Sequence, residues 1–168
     1  MFTIHATKKL LDRVKQPVEE PVAEPSTALG NWYATALFWR PQAALFVNER
    51  TLLPVFVPLA PAAKVASRLP DQLGRLLDAL EIPLEFTLQE TAAMETANFA
   101  KTANRSVVGS MNDFVFLAEH YLADGFPHDL LALSLRMAGT PCGPLRKSTG
   151  FPDLEVAAVV DEVLGRSQ

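Results

Sequence analysis

A chain of 168 residues, 49% of them hydrophobic and 20% charged, is long enough to bury one proper core and too apolar to stay disordered. A net charge of -4 argues against broad coating of a nucleic-acid backbone, which needs clustered Lys and Arg, while leaving room for a local basic patch. The lone Cys142 excludes an intrachain disulfide, and no stretch approaches the ~18 consecutive apolar residues of a membrane span or resembles a secretory leader, so a soluble, cytoplasmic protein is expected.

At the start of the chain Phe2, Ile4 and Ala6 alternate with Thr3, His5 and Thr7, the period of a half-buried strand. Thr7 is placed to cap a short helix through residue 15 that turns Leu10, Leu11 and Val14 inward. Residues 16–27 interleave Pro17, Pro21 and Pro25 with Glu19, Glu20 and Glu24, which reads as an extended, solvated surface loop. Three apolar runs follow, at 31–39, 43–47 and 52–57, broken by Arg40-Pro41-Gln42 and Asn48-Glu49-Arg50-Thr51; they predict an antiparallel meander, although the first also suits a helix. Pro54 lacks a backbone donor, so the third run is an edge strand or begins with its proline.

From residue 61 to 80 the apolar period becomes helical, with Pro70 expected to start a second helix or kink the first. Pro83 is suited to open another short helix ending near Glu90, and residues 95–101 read as a strand. A long helix then carries Val107, Met111, Phe114, Ala118 and Tyr121 on one stripe and stops near Asp124-Gly125. A helix over 129–138, a rigid turn over 140–144 and a last helix from about 153 to 164 complete the chain. The expected fold is one α+β domain spanning 1–168: a mainly antiparallel sheet with a central meander, covered by helices and without the doubly wound parallel arrangement.

Residues 99–114 carry the most polar chemistry. Arg105, Gly109, Asn112 and Phe116 fall on one helix face, and Gly109 costs roughly 1 kcal/mol against Ala in a helix interior, so either a close neighbouring backbone or a ligand should justify it. Lys101 at the strand end, with Asn104 and Arg105 at the helix start, suits an anion; the structural alternative makes Asn104 or Thr102 an ordinary cap and Ser106 and Ser110 exposed. Arg50 is a possible bidentate donor to phosphate or carboxylate or merely a solvated hairpin tip, and Lys8 at the first helix start has the same two readings.

His5, His120 and His128 have no ligand-like spacing, so no metal and no cofactor is expected. A phosphate-binding P-loop, a dinucleotide glycine fingerprint and a Gly-x-Ser-x-Gly elbow are all missing. Cys142, between Pro141 and Gly143, has no neighbour in sequence that would activate its thiol.

Three segments together resemble a known family: residues 4–11 (Ile-His-Ala-Thr-Lys-Lys-Leu-Leu), 45–55 and 99–114. Their order and spacing are similar to those of an uncharacterised bacterial family, the domain of unknown function numbered 6933, over about residues 2–151. That resemblance implies a one-domain bacterial protein and carries no activity, cofactor or site residue with it.

Three functions are compatible with these residues. One is a binding module whose Lys8, Arg50, Lys101, Asn104 and Arg105 converge on an anion such as a nucleotide, nucleic-acid end or phosphorylated metabolite, with Ser110 and Asn112 orienting it. Another is a metal-independent phosphoryl-transfer or RNA-cleaving enzyme using His5 as base. The third is a regulatory or antitoxin-like protein that meets a protein partner, or another copy of itself, through Trp32, Tyr33, Phe38 and Trp39; the competing reading puts those aromatics in the core.

Overall fold

The structure, a computed structural model, describes residues 1–165. Five strands form one mixed sheet: β1 (Phe2–Ala6), β2 (Trp32–Leu37), β3 (Ala43–Asn48), β4 (Pro54–Pro58) and β5 (Ala97–Lys101), in the order β4-β3-β2-β1-β5. The apolar run at 31–39 is therefore a strand, and β2-β3-β4 is the expected meander, with Tyr33 opposite Val47 and Phe46 opposite Val55. The sheet is only half antiparallel, however. β1 lies between β2 and β5 and runs parallel to both, pairing Ile4 with Trp32 on one side and with Phe99 on the other. The expectation of a mainly antiparallel sheet holds only for β2-β3-β4, because the pairing of β1 is long-range and the alternation of apolar residues along a strand does not specify a neighbour's direction.

Helices cover both faces. Phe2, Ile4, Trp32, Phe46 and Val55 meet α1 (Lys8–Val14), α2 (Val65–Ala79), α3 (Leu84–Ala92) and α6 (Pro152–Val163) on one face. Tyr33, Leu45, Val47 and Phe56 meet α4 (Arg105–Ala123) and α5 (Leu130–Ala138) on the other. Burial on both faces explains why β2 and β3 read as continuous apolar runs.

Pro70 does not divide α2, which continues unbroken around it. Its buried stripe of Val65, Leu69, Leu73, Leu76 and Leu77, at about 1.5–3 kcal/mol per side chain, outweighs the ~3 kcal/mol that an interior proline costs. Pro83 is the residue preceding α3 rather than its first. Thr7 occupies the N-cap position of α1 but does not cap it; its hydroxyl bonds Thr35 Oγ1 at 2.9 Å instead.

Both sheet edges are covered. On α5, Ser134 Oγ accepts the Phe56 N–H of β4 at 2.8 Å, a side chain standing where another strand would pair. Along β5 the Pro/Glu-rich connection makes a bridge, Val18 to Phe99, with Glu19 N donating to Phe99 O at 2.8 Å and Asn98 Nδ2 donating to Glu20 O. That segment is extended and largely exposed, as its composition predicts, yet it is docked on the sheet.

Candidate functional site

β1 and β5 are parallel neighbours whose following helices leave toward opposite faces: α1 toward the face that holds Trp32, α4 toward the face that holds Tyr33. In open sheets of this kind a crevice opens beyond the carboxyl ends of such a strand pair, and ligands bind there. The loops at this point are the Thr7-Lys8 turn into α1 and residues 102–104, which join β5 to α4. Lys8, Lys101, Asn104 and Arg105 are thus placed at one end of the sheet by its topology.

Asn104 is the cap of α4. Its Oδ1 accepts from Ser106 N at 2.9 Å and Val107 N at 3.2 Å, and its own N–H donates to the Tyr33 hydroxyl at 2.9 Å. Two first-turn N–H groups are therefore already occupied, and an anion here would depend on side chains. Arg105 and Lys101 are exposed, and their side chains make no hydrogen bond or ion pair among the described residues. Lys8 is exposed and bonded to Asp12 at 3.0 Å, one helical turn on.

Two hollows flank residues 102–103. One, of about 520 Å³, is lined by Lys101 and Ala100 with Val18, Glu19, Glu20 and Pro21 from the docked loop, so acidic groups share it with the lysine. The other, of about 400 Å³, is lined by Asn104, Arg105, Val108, Gly109 and Asn112, with Arg105 its one charged residue among the described residues. A Cβ built on Gly109 meets nothing within 4 Å. Among the described residues no neighbouring backbone approaches it, so the packing explanation for this glycine finds no support.

His5 is 5% exposed and lies at the same junction. Its Nδ1 is 2.8 Å from the Lys101 carbonyl oxygen, and its ring stacks on Tyr33, its register partner in β2, at 4.6 Å and 17°. A carbonyl only accepts, so Nδ1 donates to it, and Nε2 has no partner among the described residues. The Lys101 carbonyl, rather than a basic side chain, is what touches the ring.

The remaining proposed residues lie elsewhere. Arg50 is at the far end of the sheet, beyond Asn48, which pairs with Trp32 at the start of β2. There it binds Glu162 at 2.9 Å and the Ala28 carbonyl at 3.2 Å. Asn48 builds that turn: its Oδ1 accepts from Arg50 N, Thr51 N and Thr51 Oγ1, and its Nδ2 donates to Leu29 O and Asn31 O. Ser110 is buried, not exposed, and faces a different hollow from Asn112, beside Asp113 and Cys142. Burial, and secondarily the Asp113 carboxylate, pushes the Cys142 thiol up to about 11, so it is not a thiolate near neutrality. Trp32 and Tyr33 are core residues; Trp39 is half-buried on Phe56 and donates to Glu119, and Phe38 is exposed beneath the Arg13 guanidinium.

Two roles were not read from the sequence, one at this junction and one away from it. Tyr33 ties the α4 cap to His5, a role visible only once β1 and β2 are known to pair. Glu90 is buried and accepts from Ala28 N at 2.7 Å and Leu29 N at 3.0 Å; nothing in its helical context marks it. Among the described residues no group of three or more His, Cys, Asp or Glu is placed to hold a metal, and no helix is long and apolar enough to cross a membrane.

The fold and this junction define an α+β protein with a mixed five-stranded sheet and a polar strand-to-helix crevice. Residues 3–155 match the family described as a domain of unknown function, DUF6933, and the chain belongs to that family. No curated protein and no solved structure matches the chain.

Proposed function

We propose that the chain is a small binding module that takes an anionic ligand, of the nucleotide or phosphorylated-metabolite class, in the hollow between residues 102–104 and the first turns of α4. Gly109 carries the proposal. It sits inside a helix of 19 residues, faces open space, and lies on the floor of the hollow that Arg105 and Asn112 flank. Arg105 would supply a forked donor and Asn112 an amide, while Lys101 lines the neighbouring hollow across residues 102–103 and would act only as a nearby positive charge. Lys8 can contribute only by leaving Asp12, and Arg50 and Ser110 belong to other surfaces. A bacterial cytoplasm is the setting we propose for this module.

The enzymatic reading has less support, because His5 is buried under its neighbours and touches a carbonyl rather than the basic side chains. The reading of the aromatics as a partner-binding face has less support as well, since Trp32 and Tyr33 are spent on the core. The test is an amide-resolved NMR titration with inorganic phosphate, pyrophosphate and nucleoside monophosphates. Saturable shifts at Thr102, Arg105, Gly109 and Asn112 are expected, weakened about tenfold by Arg105→Ala with no change in melting temperature. No saturable shift up to about 10 mM, or shifts indifferent to Arg105→Ala, would overturn the proposal.

A further inference from the structure

We propose that the hollow between α4 and residues 140–144 is a second ligand site, for a compact organic cation: an ammonium group carried on an apolar or aromatic body. The hollow measures about 280 Å³, just under the ~300–1,000 Å³ of small-molecule pockets, and so suits a small ligand. On α4, Ser110, Asp113 and Leu117 line it from one helix face. Thr140 and Cys142 face them across the hollow, and Phe116, 63% exposed, stands beside it.

Three observations point to an occupant of this chemistry. Ser110 is 7% exposed, yet its hydroxyl has no hydrogen-bond partner among the described residues. Ser134, the comparable serine of α5, bonds back to Leu130 O at 2.7 Å, whereas the Ser110 hydroxyl lines the hollow and stays open to an occupant. Among the described residues Asp113 is the one charged residue lining the hollow; it is exposed and has neither an ion pair nor a hydrogen bond, leaving a carboxylate without a counter-ion beside apolar walls. The far wall is preformed: Cys142 N donates to Gly150 O at 2.9 Å and Gly150 N to Leu145 O at 2.9 Å, with Pro141 and Pro144 restricting the backbone. An ammonium group would pair with Asp113 and donate to the Ser110 hydroxyl, with its apolar body against Leu117 and Phe116.

Cys142 is the chain's one cysteine and forms part of the wall, so its alkylation reports occupancy. The experiment follows iodoacetamide labelling of Cys142 by mass spectrometry in the presence of phenethylamine, phenylpropanol or phenylpropionate, each variant compared with itself without probe. The protonated amine should protect best and the carboxylate least. Asp113→Asn should raise the amine concentration for half-protection about tenfold, and Ser110→Ala a few-fold, with melting temperatures held. The proposal fails if the three probes protect equally, if none protects up to about 10 mM, or if Asp113→Asn leaves the preference for the amine intact.

Discussion

At Gly109 the stability argument and the functional argument point in opposite directions. With open space around it, Gly109→Ala should stabilise the protein by about 1 kcal/mol in urea denaturation, since Ala is the better helix former and meets no clash. The added methyl enters the Arg105 hollow, so the same substitution should weaken phosphate-induced shifts. A variant that gains stability and keeps binding would leave the glycine without a role. Glu90 makes a pH prediction. Burial raises its carboxyl above the usual range, against the two N–H bonds that lower it. The folded state thus holds its proton to higher pH than the unfolded one, and the associated stability is full below the ordinary value of 4.5 and is lost as pH rises through the raised folded value. Glu90→Ala should remove that fall and cost about 1–3 kcal/mol for each backbone N–H left unpaired at Ala28 and Leu29. Stability curves of both proteins across acid pH decide this.

Among the elements, α5 has a role that its own pattern does not announce. Its apolar stripe says that it packs somewhere; the Ser134 bond to Phe56 N says that it closes the β4 edge. Ser134→Ala should cost about 1–3 kcal/mol, lowering the urea midpoint without changing its slope, because one buried N–H loses its partner while the packing survives. The residues 99–114 that stood out in the sequence divide in the same way. Asn104 is an ordinary cap, as the structural alternative held, and so accounts for part of their polarity. Lys101, Arg105, Gly109 and Asn112 are not explained by capping or by packing. Sequence periodicity put Arg105, Gly109, Asn112 and Phe116 on one helix face; the first three do line one hollow, while Phe116 lines others.

For the whole molecule, the family match stops at residue 155, inside α6, whereas Val156, Val159 and Val160 are buried against the sheet and Glu162 holds Arg50. A chain ended at Glu155 should therefore lose about 1.5–3 kcal/mol for each of the three valines, enough to unfold a marginally stable domain. Loss of a cooperative melt and new binding of a hydrophobic dye are the expected readouts; a truncated protein that melts like the full chain would show α6 to be dispensable.

Local chemistry in the sequence determined the elements: alternation in β1, the meander of β2, β3 and β4, the apolar stripes of α2 and α4, and the cap at Asn104. Each of these depends on residues a few positions apart, where side-chain period and backbone preference act together. Tertiary structure alone decided what those elements meet. The insertion of β1 between β2 and β5 brings His5 to the Lys101 carbonyl across 96 positions of chain, and it sends α1 and α4 to opposite faces. It also leaves Arg50 at the wrong end of the sheet for the cluster it was expected to join. Strand order is set by long-range pairing and by which helix buries which face, and a residue's immediate neighbours in sequence do not record either.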